Sequence, residues 1–482
     1  MSARANTRSG RVDPTAGECG TIRKQAPVRI ALGYPAPYSV AASSLGFQTV
    51  YRTWNQIPGV ACSRFFPPDK GPIARPLTTV EDRLPVAEAS AIGLSIACET
   101  ELGEVARLLA AAGLAPLAED RDPAEPPVII GGPLTGVDPR LVAPFADAVA
   151  VGEAELALPS IAEALSRTAR KPELLETLSA QQHGVWVPTE QANPPPPARA
   201  PIESLPAAAS TWSPQAELKN LFLVESSRGC PHGCTFCVLS ARTQCAGRFR
   251  AVPPERVIAA IPKDAPGVGL VGAAVTDHPQ IESLVAEIVA AGRRVSLSSI
   301  RADRLTAELA DHLRAGGLRT LTLAADGASE ALRKTLQKQI TAADLGRAAE
   351  IAATAGIRGL KLYAMVGLPD ETDADVEELA RLVADLDKRP RVAIAAQAFV
   401  PKPGTPLGQV TMAEVGLIRH RLDLLGRSLK GRARVIPTSP RWSWVDWKLA
   451  HAGERAALVA IEAERNGGKF AAWKRAIQEL GL

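Results

Sequence analysis

Gly229–Leu239 reads GCPHGCTFCVL. Its cysteines, Cys230, Cys234 and Cys237, have the spacing C-x3-C-x2-C. A loop of that kind can wrap three thiolates around one face of a cube of iron and sulfide. Most such cubes take four cysteines, so three leave one iron open to a ligand that is not protein. The loop follows directly on an apolar run, Leu221–Glu225, that reads as a buried strand. Rival uses of these cysteines fit less well. Structural zinc normally takes four ligands from two separated pairs. His232 offers a fourth ligand, but four groups would then crowd one short segment, and no second pair follows. A thiol redox motif needs one C-x2-C pair and no third cysteine.

Beyond the loop, strands and helices alternate. Strands are expected at Val268–Val271, Val295–Ser298, Thr320–Leu323, Leu360–Val366 and Val392–Phe399. Helices are expected at Pro254–Ile261, Ile281–Ala291, Leu305–Ala315, Ala342–Ala355 and Asp373–Leu386. Six β/α units predict a (β/α)6 partial TIM barrel, with functional groups at the C-terminal ends of its strands. Upstream, Val28–Gly33, Ala91–Ile96, Val128–Ile130 and Ala148–Val151 read as strands of a Rossmann-like parallel sheet. Two of them end in the turns Gly131–Gly132–Pro133 and Gly152–Glu153, where such sheets place ligands.

The α/β chain therefore divides into a disordered tail (1–27), a Rossmann-like domain (28–192), a Pro-rich linker (193–215), a barrel (216–435) and a helical C-terminal segment (436–482). The linker contains the stiff run NPPPPARAP at Asn193–Pro201. In the last segment Trp442, Trp444 and Trp447 read as an anchor that docks a terminal element.

Composition is that of a globular protein: 46% of the 482 residues are hydrophobic and 22% charged. No apolar run approaches the ~18 residues of a membrane span. The net charge of +4 and the short basic run Lys430–Arg434 give nucleic-acid binding little support. Seven cysteines in so long a chain argue for a reducing, cytoplasmic setting. The N-terminus lacks the apolar h-region of a secretory signal.

The pattern C-x3-C-x-aromatic-C, with Phe236 as the aromatic, resembles the radical S-adenosylmethionine (radical-SAM) superfamily. The resemblance runs from about Val28 to Trp473 and is to members with an N-terminal cobalamin (B12)-binding-like domain. It is carried by YPAPYSVAASSLGFQTV (Tyr34–Val50), Gly93–Gly113 and VIIGGP (Val128–Pro133). In the barrel it is carried by VGLVGAAVTDHP (Val268–Pro279), SSIRADRL (Ser298–Leu305), LAADGASEALRK (Leu323–Lys334), MVGLPDET (Met365–Thr372) and FVPKPGTP (Phe399–Pro406). It implies a 4Fe–4S cluster on Cys230, Cys234 and Cys237. S-adenosylmethionine would bind the open iron, and reductive cleavage would give methionine and a 5′-deoxyadenosyl radical.

The resemblance also implies contacts to S-adenosylmethionine. Gly272, Ala273 and Ala274 stand where relatives meet the methionine amine through backbone carbonyls; the family's acidic residue is absent here. Ser298, Ser299 and Arg301 stand where polar groups meet the ribose or carboxylate. Asp326 takes the place of a common Glu. Gly367, Glu371, Val400 and Pro401 stand near the adenine. In the N-terminal domain Gly131, Gly132, Pro133, Gly152 and Glu153 stand as cobalamin contacts. No histidine precedes His183, so the Asp-x-His-x-x-Gly cobalt-ligand motif is absent.

The function implied is a radical-SAM enzyme acting on an organic substrate, cobalamin-dependent, with methyl transfer or rearrangement at an unactivated carbon. A reducing partner such as flavodoxin or ferredoxin would supply electrons. Two alternatives stand beside it. A methylthiotransferase would hold a second cluster on Cys19, Cys62 and Cys98. A non-catalytic electron-transfer protein would keep the cluster without the chemistry. Cys245 lies too far from Cys237 for the same loop and reads as structural. No residue is singled out as a catalytic acid or base.

Overall fold

The computed structural model describes residues 13–181, 183–240, 242–243, 247–386 and 391–482. Cys245 lies outside them.

The first sheet has the order β2-β1-β3-β4-β5-β6. Its strands are β1 (Val28–Gly33), β2 (Val60–Phe65), β3 (Ala91–Ser95), β4 (Val128–Gly131), β5 (Ala148–Ala150) and β6 (Val185–Trp186). All pairs are parallel except β5–β6. Strands β1 to β4 are buried almost throughout, as a sheet covered on both faces requires. One face packs Ile30 and Leu32 against Tyr51, Trp54 and Ile161 of the helices Leu45–Gln56 and Ala154–Arg167. The other packs Ile92 and Leu94 against Leu102, Val105 and Leu109 of the helix Leu102–Ala112.

That second face is closed by the far end of the chain. Val459, Ile461, Trp473 and Ile477 of the helices Arg455–Arg465 and Phe470–Glu479 belong to the same core. The contact is close: a Cβ on Gly103 would lie 2.8 Å from the Trp473 ring. The C-terminal segment is thus helical but is a layer of the N-terminal sheet.

The second sheet is built from β7 (Phe222–Glu225), β10 (Gly267–Val271), β11 (Arg294–Leu297), β12 (Thr320–Asp326), β13 (Gly359–Val366), β14 (Arg391–Ala398) and β15 (Arg434–Pro437). It runs in two parallel stretches, β11-β10-β7 and β12-β13-β14-β15. A parallel bridge between Ile300 and Leu323 links them. Strand β15 extends the sheet beyond the six expected strands. Helices outside it bury Leu284, Leu309, Leu345, Leu379 and Ile418 against its strands. The short antiparallel pair β8 (Ser227–Arg228) and β9 (Arg250–Ala251) pins the two ends of the cysteine loop together.

The end of the expected tail and the Pro-rich linker both pack onto the fold. Residues 13–27, expected as part of a disordered tail, lie against the first sheet and the Pro-rich stretch. Glu18 pairs with Arg64 inside the protein, both side chains about 1% exposed, and Cys19 bridges Trp212. Arg64 on the buried strand β2 requires those counter-charges, and its second is Glu81 at 2.6 Å. The Pro-rich stretch also adds edge pairing: Ala198 bridges Gly152, Ala208 bridges Val224, and Trp212 stacks edge-on with Phe222. Proline's missing N–H is tolerated at such edges, so the stretch acts as an extended strap.

Candidate active site

The cysteine loop is fixed from several sides. Thr235 donates its N–H to Leu336 O at 3.1 Å, and Leu407 donates to Thr235 O at 3.1 Å. Phe236 packs against the barrel core. His232 Nε2 lies 3.0 Å from both carboxylate oxygens of Asp277. The imidazole therefore anchors the loop to the end of β10. Among the described residues no three His, Cys, Asp or Glu side chains stand together as a single-ion site. Thiolates on three different irons of a cube need no such convergence.

Burial pushes all three thiols up, Cys234 to about 11. Lys338 opposes that rise at each of them, and Arg301 does so at Cys230. Buried and half-buried thiols with cations beside them suit a soft, anionic iron–sulfur group, whose binding would displace the thiol protons. The donor set fits a 4Fe–4S cluster.

Lys338 has no counterpart in the sequence reading. Its Nζ lies 2.7 Å from Asp326, with the lysine side chain 10% exposed. Asp326 sits at φ +63°, where β12 shifts register against β13. Gln337 and Gln339, on either side of Lys338, also have positive φ. Left-handed conformations at three non-glycine residues mark a segment held in shape by its surroundings. Arg301 contributes to that hold: it bonds Asp303 at 3.0 Å and Lys338 O at 3.3 Å. Its guanidinium is buried and engaged, so it positions the lysine segment.

The other expected S-adenosylmethionine contacts fall into two groups. Gly272 O accepts a hydrogen bond from Ser298 Oγ at 3.2 Å, which joins the ends of β10 and β11. A Cβ on Gly272 would meet Ser227 at 2.8 Å, so only glycine fits between β10 and the start of the cysteine loop. Ala273 and Ala274 continue that turn, and Ser298 and Ser299 are exposed. In the second group, Glu371 Oε2 accepts from Gly367 N at 2.6 Å and from Arg421 at 2.8 Å. Burial raises this carboxyl to about 7 in spite of the arginine. Glu371 thus braces the Gly367 turn. Val400 lines a cavity of about 270 Å³. Pro401 is buried beside it, and Lys402 pairs with Glu99 at 2.7 Å across to the first sheet.

The five residues expected to contact cobalamin are occupied otherwise. Gly152 adopts φ +100°, and a Cβ there would lie 2.4 Å from Ala198 N. The Pro-rich strap thus fills the end of β5. Glu153 binds Arg228 at 2.9 Å, Arg250, and the backbone N–H of Ala200. Gly132, at φ +109°, lies against Ile96, and Gly131 touches Ala150. Pro133 opens the short helix Pro133–Val137. All five residues thus make contacts within the chain. They join the two sheets and the loop, since Arg228 lies two residues before Cys230.

Cys62 and Cys98 face different surroundings. Cys62 pairs through β1 with the level of Ala91 on β3, whereas Cys98 lies past the end of β3. Spacings of about 3.3 Å per residue and 4.8 Å per strand put them on the order of 15 Å or more apart. Cys19 is exposed and paired with the strap. A second three-cysteine cluster has no geometry here.

Comparison with known proteins agrees with this architecture. The family model for the N-terminal part of radical SAM proteins matches residues 46–188, and that of the radical SAM superfamily matches residues 224–383. The chain belongs to the radical SAM superfamily. It is 36% identical over 188 residues to an uncharacterized protein of Methanocaldococcus jannaschii, covering 38% of this chain and 41% of that protein. It is 27% identical over 301 residues to a Pyrococcus horikoshii protein named an uncharacterized methyltransferase, covering 59% of this chain and 63% of that one. The chain thus spans less than two thirds of either relative's length. In fold it is similar to the cobalamin-dependent S-adenosylmethionine radical enzyme OxsB. With aqua-cobalamin bound, that structure gives a TM-score of 0.51 at 14% identity, over 75% of this chain and 53% of OxsB. Its cobalamin-free form gives 0.50 at 12%, over 94% and 71%. Among the described residues no helix is long and apolar enough to cross a membrane.

Proposed function

We propose that the chain is a radical-SAM enzyme that reductively cleaves S-adenosylmethionine and uses the radical on an organic substrate held between the two sheets. The observation that carries this is the gathering of Cys230, Cys234 and Cys237 with Lys338, Asp326 and Arg301 at the C-terminal ends of parallel strands. When bound, a 4Fe–4S cluster supplies one electron to the sulfonium and has an open iron for the amino acid end of S-adenosylmethionine. The chain's own work is binding and orientation. The three cysteines hold the cluster. Lys338 places a positive charge beside it, suited to a carboxylate, and Asp326 holds that ammonium in place. The turn Gly272–Ala274 offers backbone carbonyls to an amine, that of Gly272 shared with Ser298 Oγ. The bridges Glu153–Arg228 and Glu99–Lys402 hold the first sheet over the barrel mouth, which limits the access of water to a radical. In this reading a flavodoxin- or ferredoxin-like partner in a reducing cytoplasm supplies the electron.

Cobalamin-dependent methyl transfer is the second reading, favoured by the name of the Pyrococcus relative and the likeness to OxsB. The occupied turns at Gly132 and Gly152 count against the contacts expected for it, and no step is assigned to cobalamin here. The anaerobically reconstituted chain, assayed with and without cobalamin, separates the two. Release of S-adenosylhomocysteine with 5′-deoxyadenosine, only when cobalamin is present, supports the second reading. Release of 5′-deoxyadenosine alone in both conditions supports the first.

A further inference from the structure

The cavity of about 270 Å³ beside Val400 lies where three parts of the chain meet. Thr100 comes from the end of β3, and Gln397 and Val400 from the end of β14. Thr438 comes from just before the helix Pro440–Ala450, and Trp442 and Asp446 from the helix itself. The buried oxygen Oδ1 of Asp446 has no hydrogen-bond partner. An unpaired buried carboxylate oxygen is costly, and Lys402, which pairs with Glu99 at 2.7 Å, offsets only part of that cost. Trp442, 38% exposed, lines the same cavity. A carboxylate and an indole ring lining one cavity suit an organic ammonium group, through ion pairing and cation–π attraction. Thr100, Thr438 and Gln397 add hydrogen-bonding groups around it.

We infer that this cavity is the substrate site and that it takes a small molecule bearing an amine, held by Asp446 and Trp442. The inference deepens the radical-SAM reading and rests on it for the word substrate; the ammonium site itself does not. Charged groups facing Asp446 are Lys402 and Glu99, and the Cys98 thiol also feels its charge. Burial outweighs Lys402 and raises the Asp446 carboxyl to about 6. Binding of an ammonium ion should therefore be strong above pH 7 and fall away as the pH drops through 6.

The probe is n-butylammonium, with n-butanol as its neutral counterpart, titrated into the reconstituted chain and followed by tryptophan fluorescence and calorimetry. The expected result is saturable binding of the amine at pH 7.5, at least tenfold weaker at pH 5, with none of the alcohol. Asp446→Asn should weaken amine binding at least tenfold, and Trp442→Leu several-fold. Equal binding of amine and alcohol, pH-independent binding, or displacement of the probe by S-adenosylhomocysteine would overturn the inference; the wild-type pH series stands even if a variant misfolds. Dithionite-driven cleavage of S-adenosylmethionine by the same wild-type sample is measured alongside. Cleavage without amine binding sinks the ammonium site alone, whereas amine binding without cleavage sinks its role in radical chemistry.

Discussion

Asp326 and Lys338 carry opposite charges 2.7 Å apart beside the thiols; Lys338 acts on all three and Asp326 on Cys234 and Cys237. Reduction adds negative charge to an iron–sulfur cluster, so a neighbouring cation favours the reduced state and an anion disfavours it. Lys338→Met should therefore lower the cluster's midpoint potential, and Asp326→Asn should raise it, each on the order of tens of millivolts. Electron paramagnetic resonance during a redox titration reads both, and shifts of the same sign would contradict the geometry. Glu371 gives a pH signature. Its carboxyl is held near 7, above the ordinary 4.5, because burial disfavours the charged form. The folded state thus prefers the protonated group, whose contribution is fully present below about pH 4.5 and is lost as the pH rises through 7. In urea unfolding, Glu371→Gln should narrow the stability difference between pH 4.5 and 7.5.

At the scale of elements, the cysteine loop depends on segments far away in sequence. Arg228 reaches Glu153 and Glu155 from the first sheet, so the N-terminal domain steadies the approach to Cys230. Glu153→Ala should leave less iron per chain after reconstitution and lower the Tm, while Glu153→Gln keeps the bond to Ala200 and recovers part of both. The segment before β1 carries Glu18, one of two counter-charges to the buried Arg64. Glu18→Ala should cost about 2–3 kcal/mol, less than breaking an isolated buried pair because Glu81 stays. These contacts also mark the limit of what was legible. The cysteine spacing, the strand periodicity and the strand-end motifs are local patterns, and they placed the loop and the order of the barrel strands. Glu18, Lys338 and the strand Val60–Phe65 were not legible, because their roles come from partners 46, 12 and about 30 residues away. Nothing in LQKQ announces a site lysine. Arg64 inside β2 breaks its apolar pattern, and only the buried carboxylates explain it. The glycines at 132 and 152 were legible as special, but their neighbours were not: Gly132 lies against the backbone of Ile96 and Gly152 against the strap at Ala198.

At the scale of the whole molecule, the chain returns to its beginning. The helices Arg455–Arg465 and Phe470–Glu479 cover the face of the first sheet that the helix Leu102–Ala112 leaves open. The tryptophan-rich helix before them spans the gap, with Val445 and Leu449 in that core and Trp444 against both cores. A chain ended after Ser439 should expose a continuous apolar face, bind hydrophobic dyes and aggregate on size-exclusion chromatography; a soluble, compact product would contradict this layering. The same closure places Trp442 and Asp446 at the barrel mouth, so folding of the terminal segment and completion of the cavity are one event. Three cysteines that leave one iron open to S-adenosylmethionine are the centre of the proposed chemistry. The anaerobically reconstituted chain should bind about four irons and, with dithionite, convert S-adenosylmethionine to 5′-deoxyadenosine and methionine. The variant with Cys230, Cys234 and Cys237 all replaced by Ala should do neither. Cleavage retained in that variant, or a wild-type chain that loads its irons and leaves S-adenosylmethionine intact, would contradict the central claim.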